Sequence, residues 1–144
     1  MSAKGKQEKR LKPLFMERVK IQLEYLLRAS PTLLYQFFTT PSALVRWFCD
    51  GVDIHGNGIY TFEWSGIEEV AQLTEDIEEE LVHFQWLDDE REGEYLEFKI
   101  TISPVTGETI LEITDFCDAD EVEEQKALWE TQIRQLRKET GSGG

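Results

Sequence analysis

Two histidines, two cysteines and a few strand carboxylates are the residues of this 144-residue chain whose types could do chemistry. His55 lies in His55-Gly56-Asn57-Gly58, a tight turn that leaves an imidazole in water, and His83 has the outward parity of its strand. Neither stands at nucleophile spacing from a Ser or Cys, and no GxSxG, HExxH or glycine-rich phosphate loop occurs. Cys49 and Cys117 fit no metal-ligand spacing and are too few for a disulfide framework, so they read as reduced, half-buried packing residues. Asp115 and Glu112, on the last strand, could face inward as a general base on one parity or the other, although a lone strand carboxylate usually sits at the rim. The acidic runs at Glu68-Glu69, Glu75 to Glu80 and Asp88 to Glu94 lack the Asp-x-Asp-x-Asp-Gly spacing of a calcium loop and read as solvated faces. The expectation is no catalytic residue, no metal and no cofactor.

The apolar residues offer more. Eight Phe, four Trp and four Tyr supply a real core for one domain. The longest organised stretch is a helix from Asp120 to Lys138, where Val122, Trp129, Ile133 and Leu136 form one narrow apolar stripe at 3.6 residues per turn. Asp118 and Asp120 are N-cap types, the first turn is acidic, and Arg134, Arg137 and Lys138 precede Gly141, so charge and macrodipole agree at both ends. Such a rod needs a broad apolar surface to lie on.

Upstream, the chain supplies a sheet. Val19, Ile21, Leu23 and Tyr25 alternate with polar residues as a half-buried strand. Ser30-Pro31 and Thr40-Pro41 are successive helix starts, opening two short helices with Leu34, Phe37 and Phe38, then Leu44, Trp47 and Phe48, on their apolar sides. A meander follows: Val52 to Ile54, Ile59 to Trp64, an edge-like acidic strand Glu68 to Thr74, a charged loop Glu75 to Glu80, then Leu81 to Leu87, Leu96 to Ile102 and Thr109 to Phe116. The order is β-α-α-six antiparallel strands-α, an α+β domain whose curved seven-stranded sheet grips the last helix.

Charge narrows the partners. Lys4, Lys6, Lys9, Arg10 and Lys12 against Glu8 give residues 1–15 a net +4, so the remainder of a chain at −14 overall carries −18. That excess repels phosphate backbones and anionic headgroups, which argues against nucleic acid and membranes. No stretch reaches the roughly 18 apolar residues of a membrane span and no signal peptide is visible, so the expected location is cytoplasmic. Residues 1–16 read as a disordered basic leader, 17–140 as the domain and 141–144 as a flexible tail.

The order of elements, with Ala29-Ser30-Pro31, Thr40-Pro41, Arg46-Trp47-Phe48 and the closing Trp129-x3-Ile133-x2-Leu136, resembles the helix-grip fold of START-like proteins, in the branch related to activators of the Hsp90 ATPase. Leu128 departs from that branch, which often has Gly before the helix Trp; the resemblance implies a helix that packs more closely or bends less there. It also implies a cavity between sheet and helix, entered near the two short helices, that holds a hydrophobic, lipid-like small molecule. The residues expected to line it are Trp47, Phe62, Trp64, Phe84, Trp86, Phe98, Ile100, Trp129 and Ile133, with Gln125 and Gln132 as polar anchors. The same aromatics could instead fill the space as close-packed core. Two rival functions remain open: a chaperone-associated protein-interaction module using the acidic outer surface, and a cyclase- or hydrolase-like enzyme, which would need at least two ionisable groups inside.

Overall fold

The computed structural model describes residues Glu17–Gly141, so the basic leader and residues 142–144 lie outside it. The elements follow as β1 (Arg18–Leu27), α1 (Pro31–Thr39), α2 (Pro41–Trp47), β2 (Gly51–His55), β3 (Ile59–Trp64), β4 (Ile67–Ile77), β5 (Leu81–Trp86), β6 (Tyr95–Ile102), β7 (Thr109–Asp118) and α3 (Val122–Thr140). All strands join one antiparallel seven-stranded sheet in the order β1-β7-β6-β5-β4-β3-β2. The meander stacks each new strand on the last, and β7 then closes by pairing with β1, whose ten residues match its ten in register.

Period-two patterning places Tyr60, Phe62 and Trp64, then Val82, Phe84 and Trp86, then Leu96, Phe98 and Ile100, on the inner face, all buried. Opposite them α3 contributes Trp129, Ile133 and Leu136, each fully buried. The short helices complete the wall with Leu34, Phe37, Phe38, Leu44 and Trp47. Helix α1 begins as its sequence dictates, with Ser30 Oγ accepting from the Leu33 N–H at 3.2 Å.

Three local expectations are corrected. Strand β4 is no edge; it lies between β3 and β5, and runs to Ile77 through half of the expected loop. Its charged half is pairable because a bulge between Leu73 and Glu75 shifts the register, setting Glu75 opposite His83 and Asp76 opposite Val82. Neither Asp118 nor Asp120 caps α3: a 3-10 turn, Ala119–Glu121, precedes the helix, and Glu121 at its N-cap makes no side-chain cap bond. Asp118 is drawn instead to Arg18 on the paired strand, at 2.9 Å. Thr40 starts α2 without a side-chain cap bond, although Ser30, followed by Pro in the same way, makes one. The β3–β4 hairpin turns on Ser65 and Gly66, both left-handed (φ 51° and 85°), the twist that two-residue hairpins favour.

Candidate functional site

The inner face assembles the expected residues into one contiguous cluster. Trp47, Phe62, Trp64, Phe84, Trp86, Phe98, Ile100, Trp129 and Ile133 are all buried core. Their rings meet across the space between sheet and helix: Trp129 lies 6.1 Å from Phe98, 6.2 Å from Phe48 and 6.4 Å from Trp47, centroid to centroid. Phe38 stacks on Phe98 at 4.3 Å and 10°. The expected hollow is therefore occupied by the side chains meant to line it, because bulky rings on a curved face pack to interior density. Phe38 and Phe48 were missing from the expected lining; their helical spacing marked them as apolar, but only the fold shows that they plug the centre.

The polar groups inside are mostly spoken for. The indole N–H of Trp47 donates to Phe37 O at 2.8 Å, that of Trp64 to Phe48 O at 2.7 Å and that of Trp129 to Asp115 Oδ2 at 2.9 Å. Gln125, the first expected anchor, also donates to Asp115 Oδ2, at 3.0 Å, while Oδ1 receives the Phe116 backbone N–H at 2.8 Å. Asp115 thus faces inward and is 1% exposed, yet it acts as a pin between β7 and α3. A carboxylate holding these donors has few lone pairs left for proton abstraction. Glu112 takes the opposite parity, opposite Glu24 and Lys99 on the neighbouring strands.

Gln132 differs. It is 5% exposed, and its Nε2 donates to the backbone carbonyls of Phe48 at 3.0 Å and Trp47 at 3.3 Å. Those two acceptors fix the amide's orientation, so its oxygen points the other way. Gln132 Oε1 is the only buried side-chain N or O among the described residues that lacks a hydrogen-bond partner. The residue lines a depression of about 280 Å³ at the seam of α2, α3 and β3, together with Trp47, Phe48, Cys49, Trp64 and Gln135, with the unpartnered oxygen buried beneath its surface. A larger open depression of about 660 Å³ lies on the far side of α2, against β2 and β3, where Asp53, Glu63 and Glu68 make it acidic and none of the expected lining residues contributes.

The remaining chemical groups stand apart from both. His55 is exposed, and His83 sits on the outer face with its Nδ1 2.8 Å from Glu97 Oε1 and its ring stacked on Tyr95. Glu75, His83 and Glu97 converge across β4, β5 and β6 with ligand-type atoms within 4.8 Å of one another, a grouping that sequence spacing hid because the β4 bulge creates it. Both cysteines are buried rather than half-buried, and burial pushes the Cys49 thiol up to about 12 and the Cys117 thiol up to about 11. Thiols held protonated in this way are poor nucleophiles.

This architecture has known counterparts. A family profile described as a START-like superfamily domain matches residues 15–142, and the chain belongs to that superfamily. A Bacteroides fragilis protein solved in solution is 39% identical, with 85% of this chain and 91% of that one aligned at a TM-score of 0.60. The Aha1 dimer from Colwellia psychrerythraea is 20% identical over 85% and 96% of the two chains with a TM-score of 0.70, which shows the shared fold alone. A Mesorhizobium loti protein is likewise a fold relative, at 13% identity, 83% and 95% coverage and a TM-score of 0.68. No curated protein matches the chain. Among the described residues, no helix is long and apolar enough to cross a membrane.

Proposed function

We propose that this protein is a non-enzymatic, cytoplasmic START-like domain that binds a hydrophobic, lipid-like small molecule between its sheet and C-terminal helix, entering at the seam of α2 and α3. Membership of the START-like superfamily supports a binding role. The observation that carries the reading is the seam itself: a depression of about 280 Å³, just below the roughly 300–1,000 Å³ typical of small-molecule sites, is lined by Trp47, Phe48 and Trp64. Because the rings beyond it are in contact, a ligand larger than the depression has to part α2 from α3. The seam is suited to that, since among the described residues the polar links between α2 and α3 are the Gln132 amide, a long Gln135 bond to Arg46 O at 3.4 Å and the loose Arg46–Glu139 pair at 3.8 Å, beside the apolar Trp47–Trp129 ring contact. The absence of catalysis is part of the proposal, supported by the engaged Asp115 and the protonated cysteines.

Titration with the neutral apolar dye N-phenyl-1-naphthylamine tests it. Binding at the seam raises dye emission, quenches tryptophan fluorescence through Trp47 and Trp64, and adds the dye's mass to the intact protein under native conditions. No change in any of the three overturns the reading.

A second reading has its own observation. The acidic depression bordered by Asp53, Glu63 and Glu68 adjoins β2, the sheet edge with Ile54 exposed, and fits a basic segment of a partner protein, a chaperone in the branch that the resemblance implies. Capture of such a partner that is insensitive to salt would count against this electrostatic docking.

A further inference from the structure

The interior shows what the ligand's polar end must be. We infer that the seam site selects an uncharged, apolar molecule carrying a hydrogen-bond donor, a hydroxyl or N–H group, which Gln132 Oε1 accepts; this rests on the binding function proposed above. A buried amide oxygen without a partner costs free energy comparable to a lost hydrogen bond, so a donor arriving there is favoured beyond its apolar contacts. The amide cannot turn over to offer its NH2 group instead, because Nε2 is committed to the carbonyls of Trp47 and Phe48. Reversal would set Oε1 against two carbonyl oxygens.

The donors at the seam are already engaged. Indole donors that could have bound an acceptor ligand are used internally, by Phe37 O for Trp47 and by Phe48 O for Trp64. Thr131 Oγ1 bonds back to Ala127 O, and Gln135 Nε2 is held by Glu139 Oε2 at 3.0 Å. Arg46 lines the same depression and could attract an anion, but it is 59% exposed and faces Glu139, while Asp50 adds negative charge at the rim. A carboxylate or phosphate head would thus meet a fixed carbonyl oxygen and a carboxylate. An ether or hydrocarbon would leave Oε1 as it stands. An alcohol or amide satisfies it.

The test uses three eight-carbon or isosteric probes on the full chain: 1-octanol, heptyl methyl ether and octanoate. Each is titrated while the side-chain NH2 resonances of Gln132 and the indole N–H resonances of Trp47 and Trp64 are followed by NMR. The expected result is 1-octanol binding about tenfold more tightly than the ether, octanoate weaker than both, and a shift of the Gln132 resonance with the alcohol alone. Gln132→Met, which keeps length and apolar volume, removes the alcohol's advantage while the ether's affinity is retained. If that variant does not fold, the wild-type series decides by itself. Equal affinity for alcohol and ether, as when water already satisfies Oε1, overturns the donor rule and leaves the binding function standing. Tightest binding of octanoate overturns it as well. No binding of any probe at the seam overturns both.

Discussion

Asp115 shows how a residue of catalytic type becomes a structural one. Its parity turns it inward, and there it meets the Trp129 indole, the Gln125 amide and the Phe116 backbone N–H before it can meet a substrate. Asp115→Ala leaves the buried indole N–H without its acceptor, and the expected loss is about 3 kcal/mol or more in urea unfolding followed by far-UV circular dichroism. The cysteines make a second prediction. Burial raises both thiols above the ordinary 9.0, so the folded state holds protons that the unfolded state releases. Their contribution is complete below the unfolded value and is lost as pH rises from about 9 toward 11 and 12. Urea midpoints should fall over that window, less steeply in Cys49→Ala. Alkylation by iodoacetamide at pH 8 should be slow in the folded protein and fast once it is unfolded, as read by mass spectrometry.

At the scale of elements, the two short helices separate a signal from its use. Both begin with a hydroxyl residue followed by Pro, but Ser30 Oγ bonds the Leu33 N–H and Thr40 makes no such bond. Ser30→Ala should therefore cost about 1 kcal/mol and Thr40→Ala less than about 0.5 kcal/mol, compared in the same denaturant series. Helix α3 follows a similar logic. Its acidic start and basic end suit the macrodipole, and Gly141 closes it in the left-handed region (φ 70°), but Asp118, one of its two expected N-caps, is taken by a tertiary contact. Asp118 answers Arg18 across the β1–β7 pair, and Arg18 in turn reaches Glu94 at 2.6 Å, which ties three separate segments at one corner of the sheet. The β4 bulge has consequences on both faces: it brings Glu75 beside His83 on one, and sets Asp76 opposite Val82 on the other, where Asp76 stays exposed and accepts from the Tyr35 hydroxyl.

For the whole molecule, the described residues Glu17–Gly141 carry the −18 left after the basic leader, spread over a single small domain. Self-repulsion of this size is screened within about 8–10 Å at physiological salt. Raising sodium chloride from about 20 mM to about 500 mM should lift the melting temperature by roughly 3–8 °C, measured by scanning calorimetry, whereas a molecule held mainly by exposed ion pairs would lose stability. The fold was legible beforehand because it follows from local periodicity: alternation for strands such as Leu96–Ile102, a 3.6-residue stripe for Trp129, Ile133 and Leu136, and Ser-Pro or Thr-Pro at helix starts. The membership of the inner cluster was legible for the same reason, since parity alone puts Phe62, Phe84 and Phe98 on one face. What periodicity does not encode is distance across that face. Whether facing rings leave a gap or touch depends on sheet curvature, on the height of α3 and on where Phe38 and Phe48 land, all set by long-range packing. The roles of the two glutamines diverged on the same ground: Gln125 and Gln132 lie on one helix seven residues apart, yet β7 brings Asp115 to the first, while α2 brings only carbonyls to the second. The amino-acid order by itself thus determined the elements, their succession and which faces turn inward, because those depend on neighbours a few residues away. The tertiary structure alone decided that the centre is filled, that Asp115 is a pin and that one buried amide oxygen beside a seam is left without a partner, because each depends on groups that meet only when distant segments close on one another.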